Sequence, residues 1–256
     1  MKIDEIATGL MLAHDAGESL PVVSSRYPEI DIDAAYSIQA AYVANRLAAT
    51  DRVAGFKAGA TTAAAQQAFG LTDPLTGILF ARGMRSAGEQ IRGSDFGSLL
   101  LETEMGFRFG AALDQPVADI EALTSYVAAS FPVIELADTG LFGGAKTNGV
   151  DLIAANSAAS GILVGEPSDW RNLDLDEIRV TLTLAGEMNQ QGRAGDVMNG
   201  QWRALLWLVN RVIELGYQIE SGHIFITGAI GRAHPGSPGA YVADYGAFGR
   251  VTFDIE

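Results

Sequence analysis

The chain has 256 residues, 48% of them hydrophobic and 19% charged, which is enough apolar content for a substantial core and excludes a disordered chain. Its 17 basic and 31 acidic residues give a formal charge of −14, a field that repels phosphate backbones and anionic lipid and argues against nucleic-acid or membrane partners. Cysteine is absent, so disulfides, thiolate metal sites and cysteine nucleophiles are excluded, and any metal must be held by oxygen or histidine.

The start, Met1-Lys2-Ile3-Asp4-Glu5, has acids where an export signal needs a basic region, and no apolar run is long enough to span a bilayer. The expectation is a soluble, cytoplasmic protein. Because its overall field repels anions, a site for an anionic substrate would have to supply local positive charge from a metal, a lysine or helix N-termini.

In chain order, Ile3, Ile6, Leu10 and Ala13 repeat at helical spacing, which predicts a helix over Asp4 to His14 stopped by Gly17. A second helix is predicted from Asp33 as its cap, with Tyr36, Ala40, Val43 and Leu47 along one face. Arg52 to Gly59 reads as a short strand and Thr62 to Phe69 as a short helix. From about residue 77 the pattern turns to short strands, at Leu99 to Phe109, Pro132 to Leu136, Ile178 to Leu184, His223 to Thr227 and Gly249 to Ile255. Two helices interrupt them: Ile120 to Ser130, introduced by Asp119, and Gln201 to Leu215, stopped by Gly216. Without regular βαβ alternation, the order predicts an α+β fold. Residues 1–76 would form an N-terminal helical part with a short strand, and residues 77–256 a β-rich part, the two making one structural unit.

Three features bear on chemistry. In Leu101-Glu102-Thr103-Glu104-Met105, strand periodicity puts Glu102 and Glu104 on one face. That face is either the solvated side of an edge strand or two carboxylates sharing a cation. Glu135 is the lone acid in the apolar strand Pro132-Val133-Ile134-Glu135-Leu136 and needs a partner if buried, either an arginine or a metal. Three glutamates with waters would make an octahedral oxygen site for Mg2+ or Mn2+. Lys57 lies between Gly55 and Gly59, where close approach of a backbone or ligand is allowed, and is either a cationic catalytic group or a surface lysine. His14, His223 and His234 are too scattered for a metal spacing, and Gly140 to Gly144 reads as a loop. Trp202 and Trp207 read as packing residues.

Taken together, several segments resemble the hydratase and decarboxylase branch of the fumarylacetoacetate hydrolase superfamily, whose enzymes process products of aromatic meta-cleavage. They are Ala35 to Gln39, Gly55 to Thr61, Asp73-Pro74 leading to Gly77 to Phe80, Glu102 to Phe107, Val133 to Glu135, Asp151 to Ser157, and Ile226 to Gly228. The resemblance implies that superfamily's mixed β-sandwich or roll and homo-oligomerisation; a complex with another pathway enzyme is a further option, motivated by Ala155 and Ala229. The resemblance also implies Mg2+ or Mn2+ on Glu102, Glu104 and Glu135, with Lys57 facing the substrate, Asp73 near the pocket, and Asp73 or Glu135 helping to activate water. The implied reaction is a lyase step on a small 2-oxo or 2-hydroxydienoate acid: hydration to a 4-hydroxy-2-oxo acid, or else decarboxylation of a 4-oxalocrotonate-like acid. A non-catalytic homologue and an acylpyruvate hydrolase are further options. The chain departs from the family pattern at Ala155-Asn156, where Asp-Asn is usual, at Gly228-Ala229, where Gly-Ser is usual, at Thr139-Gly140, where Ser-Arg is common, and over Asn189 to Asn199.

Overall fold

The computed structural model describes residues 2–256. Its α-helices are α1 Ile3–Asp15, α2 Val23–Arg26, α3 Ile32–Ala48, α4 Ala63–Phe69, α5 Ile120–Thr124, α6 Gly149–Ala154 and α7 Gln201–Glu214. The strands are β1 Val53–Gly59, β2 Leu75–Phe80, β3 Met84–Ser86, β4 Gln90–Ile91, β5 Leu99–Phe109, β6 Val127–Asp138 and β7 Ala159–Val164. They continue with β8 Arg179–Leu184, β9 Glu187–Arg193, β10 Ile224–Ile226, β11 His234–Pro235, β12 Gly239–Asp244 and β13 Arg250–Ile255. The fold is α+β, and no described helix is long and apolar enough to cross a membrane.

The larger sheet runs β2-β1-β10-β5-β6-β7-β3, with β11 added beside β5. Its two outer strands are consecutive in the chain, since β2 ends at Phe80 and β3 begins at Met84. Flat, seven strands at about 4.8 Å spacing would separate these edges by about 29 Å, whereas four peptide steps reach at most about 14 Å. The sheet therefore curls into a roll. Leu79 from one edge strand and Met84 from the other pack on the same apolar cluster, with Phe131, Val133, Ile162, Ile224 and Ile226, and that cluster fills the inside.

Outside the roll lies the main core. The outward residues Phe56, Phe107, Phe109 and Phe225 belong to it, and Phe225 forms tilted aromatic pairs with Phe56 and with Phe109, the latter with ring centroids 4.7 Å apart. Helix α7 lays Ala204, Leu205, Leu208, Val209 and Val212 into this core, and Trp202 packs against both Phe107 and Trp170 at 5.3 Å. The second sheet runs β4-β13-β12-β8-β9. Its β8–β9 hairpin turns at Ala185 and Gly186, both with positive φ (51° and 86°), the geometry that suits the right-handed twist of paired strands.

Several expectations need correction. Asp31 caps α3, not Asp33: its side chain accepts the Ala34 N–H at 2.9 Å, so the cap lies two residues earlier. The buried face of α3 also differs, because Ala40 and Leu47 are exposed while Gln39 and Arg46 are buried. Polar residues can occupy that face because they are satisfied there. Gln39 donates to the carbonyls of Thr76 and Ile153, and Arg46 bonds Asp15 and the Tyr42 hydroxyl. The helix expected over Ile120 to Ser130 ends at Thr124, and residues from Val127 join β6 because β5 supplies a ladder partner along its whole length. Strand β1, from the N-terminal 76 residues, lies inside the main sheet between β2 and β10.

Candidate metal centre

Strands β5 and β6 set the site by register. Glu102 lies directly opposite Glu135, and Glu104 opposite Val133, so all three carboxylates stand on one face, which is the inside of the roll. One ligand oxygen from each lies within 4.8 Å of the others. Lys57 belongs to the same face: it is level with Gly77 on β2 and Ile226 on β10, and Ile226 is in turn level with Gly106. Its ammonium forms an ion pair with Glu135 and donates to the Ser157 carbonyl at 3.1 Å.

The two glycines flanking Lys57 have separate reasons. A Cβ on Gly55 would lie 1.8 Å from the Ile224 carbonyl oxygen of β10, and one on Gly59 would lie 2.7 Å from Leu75. A third glycine, Gly77, faces Lys57 across the sheet, and a Cβ there would press on the Lys57 stem at 3.0 Å.

Glu104 and Glu135 are fully buried and Glu102 is half-buried. Desolvation raises the Glu102 carboxyl to about 7, helped by the charge of Glu135 and opposed by Lys57. Desolvation pushes Glu104 well above the usual carboxylate range, with Glu135 and Glu102 adding to it, while the Gly228 N–H, donated at 2.6 Å, pulls the other way. Burial works to lower the Lys57 ammonium, but the carboxylates of Glu135, Glu102 and Glu104 outweigh it and the net shift is upward.

Two buried oxygens here, Oε1 of Glu104 and Oε2 of Glu135, have no hydrogen-bond partner, a costly state for a carboxylate out of water. Three carboxylates against one ammonium also leave a formal charge of −2, which one divalent cation cancels. An all-oxygen donor set with orphaned oxygens and this charge deficit fits a hard divalent cation. The partner of Glu135, open to either arginine or metal in the sequence, thus includes Lys57.

Asp73 is not brought to this group. It is exposed, takes a bond from the Thr72 hydroxyl at 2.9 Å, and lines a separate cavity with Tyr36, Trp207 and Arg211. Residues that sequence reasoning did not single out complete the surroundings. The Tyr245 hydroxyl accepts the Glu104 N–H at 3.1 Å and donates to the Val133 carbonyl at 2.7 Å, bridging two facing residues of β5 and β6. No local pattern around Tyr245 marks it, because it reaches the site from a turn near the C-terminus. Ser157 and Gly228 lie in segments that carried the family resemblance, although their roles rest on backbone groups that a side-chain reading does not see.

No family model matches the chain. Along its length it is 27% identical over 242 residues to a 2-keto-4-pentenoate hydratase of Paraburkholderia xenovorans, covering 92% of this chain and 88% of that one. A 2-oxo-hept-4-ene-1,7-dioate hydratase of Escherichia coli is 28% identical over 263 residues, covering 96% and 95%. Among solved structures, 4-oxalocrotonate decarboxylase from Pseudomonas putida G7, complexed with magnesium and adipate, superposes with a TM-score of 0.92 at 21% identity, covering 100% of this chain and 97% of that chain. A protein from Yersinia pestis described as of the fumarylacetoacetate hydrolase family follows at 0.62 and 18% identity, covering 80% and 94%. The chain has the fumarylacetoacetate-hydrolase fold and is similar in sequence, along most of its length, to hydratases of 2-oxo-4-enoate acids. In that fold, the inside of the curled sheet is where this chain gathers its three carboxylates and its buried lysine.

Proposed function

We propose that the chain is a magnesium-dependent hydro-lyase that adds water to a small 2-hydroxy-2,4-dienoate. The observation that carries this reading is the inward group of Glu102, Glu104 and Glu135 with its orphaned oxygens, in a chain aligned almost end to end with hydratases. When bound by these carboxylates, the cation supplies Lewis-acid polarisation at the substrate's 2-oxygen. Lys57 holds the substrate carboxylate with its free N–H and is one group able to pass a proton; Glu135, bonded to it, is the other. Net addition is one water: a proton goes to C5, a hydroxyl to C4, and the hydrogen of the 2-enol is replaced by one on C3, which gives the 4-hydroxy-2-oxo acid. Asp73, exposed at another cavity, takes no part.

Two features favour a monocarboxylate. Lys57 is the only cation among the described residues paired with the three carboxylates. At Gly140, where the family pattern often has arginine, a Cβ would lie 2.2 Å from the Gly97 backbone, so this chain has no room for a side chain there. The second reading, decarboxylation of a 2-oxo dicarboxylate, is supported by the TM-score of 0.92 to 4-oxalocrotonate decarboxylase.

Purified protein with Mg2+ is expected to convert 2-hydroxypenta-2,4-dienoate to 4-hydroxy-2-oxopentanoate and to release no carbon dioxide from 4-oxalocrotonate. Carbon dioxide without hydrated product would reverse the order of the two readings, and turnover of neither would leave a non-catalytic homologue. The family resemblance also supports a homo-oligomer, which light scattering would read directly.

A further inference from the structure

The turn after α6 is strained. Asn156, Ser157 and Ala158 have φ values of +57°, +58° and +54°. Three successive non-glycine residues in the left-handed region are unfavourable, because each Cβ crowds its own backbone, and they persist only when their surroundings hold them. Here the holder is the Asn156 side chain, which is 3% exposed. Its Oδ1 accepts the Ile78 N–H at 2.8 Å and its Nδ2 donates to the Ile78 carbonyl at 2.9 Å, as a neighbouring strand would. Ile78 adjoins Gly77, the residue level with Lys57.

Two glycines make room for the turn. A Cβ on Gly77 would meet Ser157 Cβ at 3.0 Å, and one on Gly59 would meet Ser157 Oγ at 2.9 Å. The outcome is a Ser157 carbonyl 3.1 Å from the Lys57 ammonium. That ammonium has three N–H donors. Glu135 takes one and Ser157 a second, so tetrahedral geometry fixes the direction of the third.

We propose that Asn156 is a positioning residue: it holds the left-handed turn so that the Ser157 carbonyl and Glu135 together stop rotation of the Lys57 ammonium and aim its remaining N–H at the carboxylate of the bound acid. The inference rests on the reading above in which Lys57 faces the substrate. It accounts for the strain as preorganisation, with the orientation of Lys57 set during folding rather than during binding.

Calorimetric titration of the Mg2+-saturated protein with oxalate, a small probe carboxylate, tests this without turnover. Asn156→Ala and Lys57→Met are each expected to weaken oxalate about tenfold, the scale of one hydrogen bond to a charged group. Asn156→Ala is expected to leave Mg2+ affinity within about twofold, and in the Lys57→Met background to have no further effect on oxalate. Asn156→Asp keeps the acceptor for the Ile78 N–H and loses the donor; it carries the same cycle if Asn156→Ala does not fold. Equal weakening with and without Lys57, unchanged oxalate affinity in the Asn156 variants, or failure of the Mg2+-loaded wild type to bind oxalate overturns the proposal. A wild type that shows the expected cycle but hydrates no dienoate sinks the proposed reaction alone, and one that hydrates the dienoate with an additive cycle sinks only the positioning role.

Discussion

The two faces of β5 are both largely buried, yet they do opposite work. Outward, Leu101, Thr103, Met105 and Phe107 enter the main core, where removal from water is favourable. Inward, Glu102 and Glu104 meet Glu135 and Lys57, where desolvation raises two carboxyls and leaves two oxygens unpaired. Alternation along a single strand thus separates a stabilising surface from one that stores unsatisfied charge until a cation and a substrate arrive. A site of this kind needs a rigid support, and the outward face of the same strand provides it.

If the faces are separable, substitutions on them should have separable effects. The largest belongs to the inner face. Glu104→Gln and Glu135→Gln are each expected to weaken Mg2+ by more than about 100-fold, beyond the 10–100-fold typical of groups that only orient a ligand, with calorimetry as the readout. Phe107→Ala on the outer face is expected to cost about 3–5 kcal/mol in denaturant unfolding, while the protein that remains folded keeps its Mg2+ affinity within about twofold. Loss of affinity in step with stability would show that the faces are not independent.

Titration of the inner face gives the next effect. With Glu102 raised to about 7, a proton competes with the cation below that pH, so Mg2+ affinity is expected to rise roughly tenfold or more from pH 6 to pH 8. The sign for stability is opposite. A carboxyl raised from the ordinary 4.5 to about 7 stabilises the metal-free fold fully below pH 4.5, and that contribution is lost as pH rises through 7. Melting of the metal-free protein should therefore fall between pH 5 and pH 8, with saturating Mg2+ reversing the loss. The smallest effect concerns the junction between the faces. Tyr245→Phe strips the bridge from the Glu104 N–H and the Val133 carbonyl, with an expected cost of about 1–3 kcal/mol in stability and a modest loss of Mg2+ affinity.

Much of this was legible before any coordinates. Strand β5 falls where alternation puts it, Leu99 to Phe109, because an eleven-residue strand with one apolar face carries a strong period of two. Helix α7 has the same clarity at a period of 3.6, ending one residue before the expected Leu215. Strand β9, Glu187–Arg193, was not legible: its residues are mostly polar and partly exposed, and it is a strand because β8 offers it a ladder. The same holds for the first half of β6, which read locally as a helix and was decided by its partner β5.

By itself, then, the sequence determined that Glu102 and Glu104 share a face, since side-chain period is a property of the strand alone. It also determined that a lone Glu135 in an apolar strand needed a partner, since burying a charge is costly in any fold. Only the tertiary structure decided who that partner is. The antiparallel register set Glu135 opposite Glu102, the curl of the sheet brought Lys57 onto the same inner face, and the strained turn at Asn156 to Ala158 placed a backbone carbonyl beside it. Register, curvature and backbone groups leave no mark on local composition, because each depends on residues far apart in the chain.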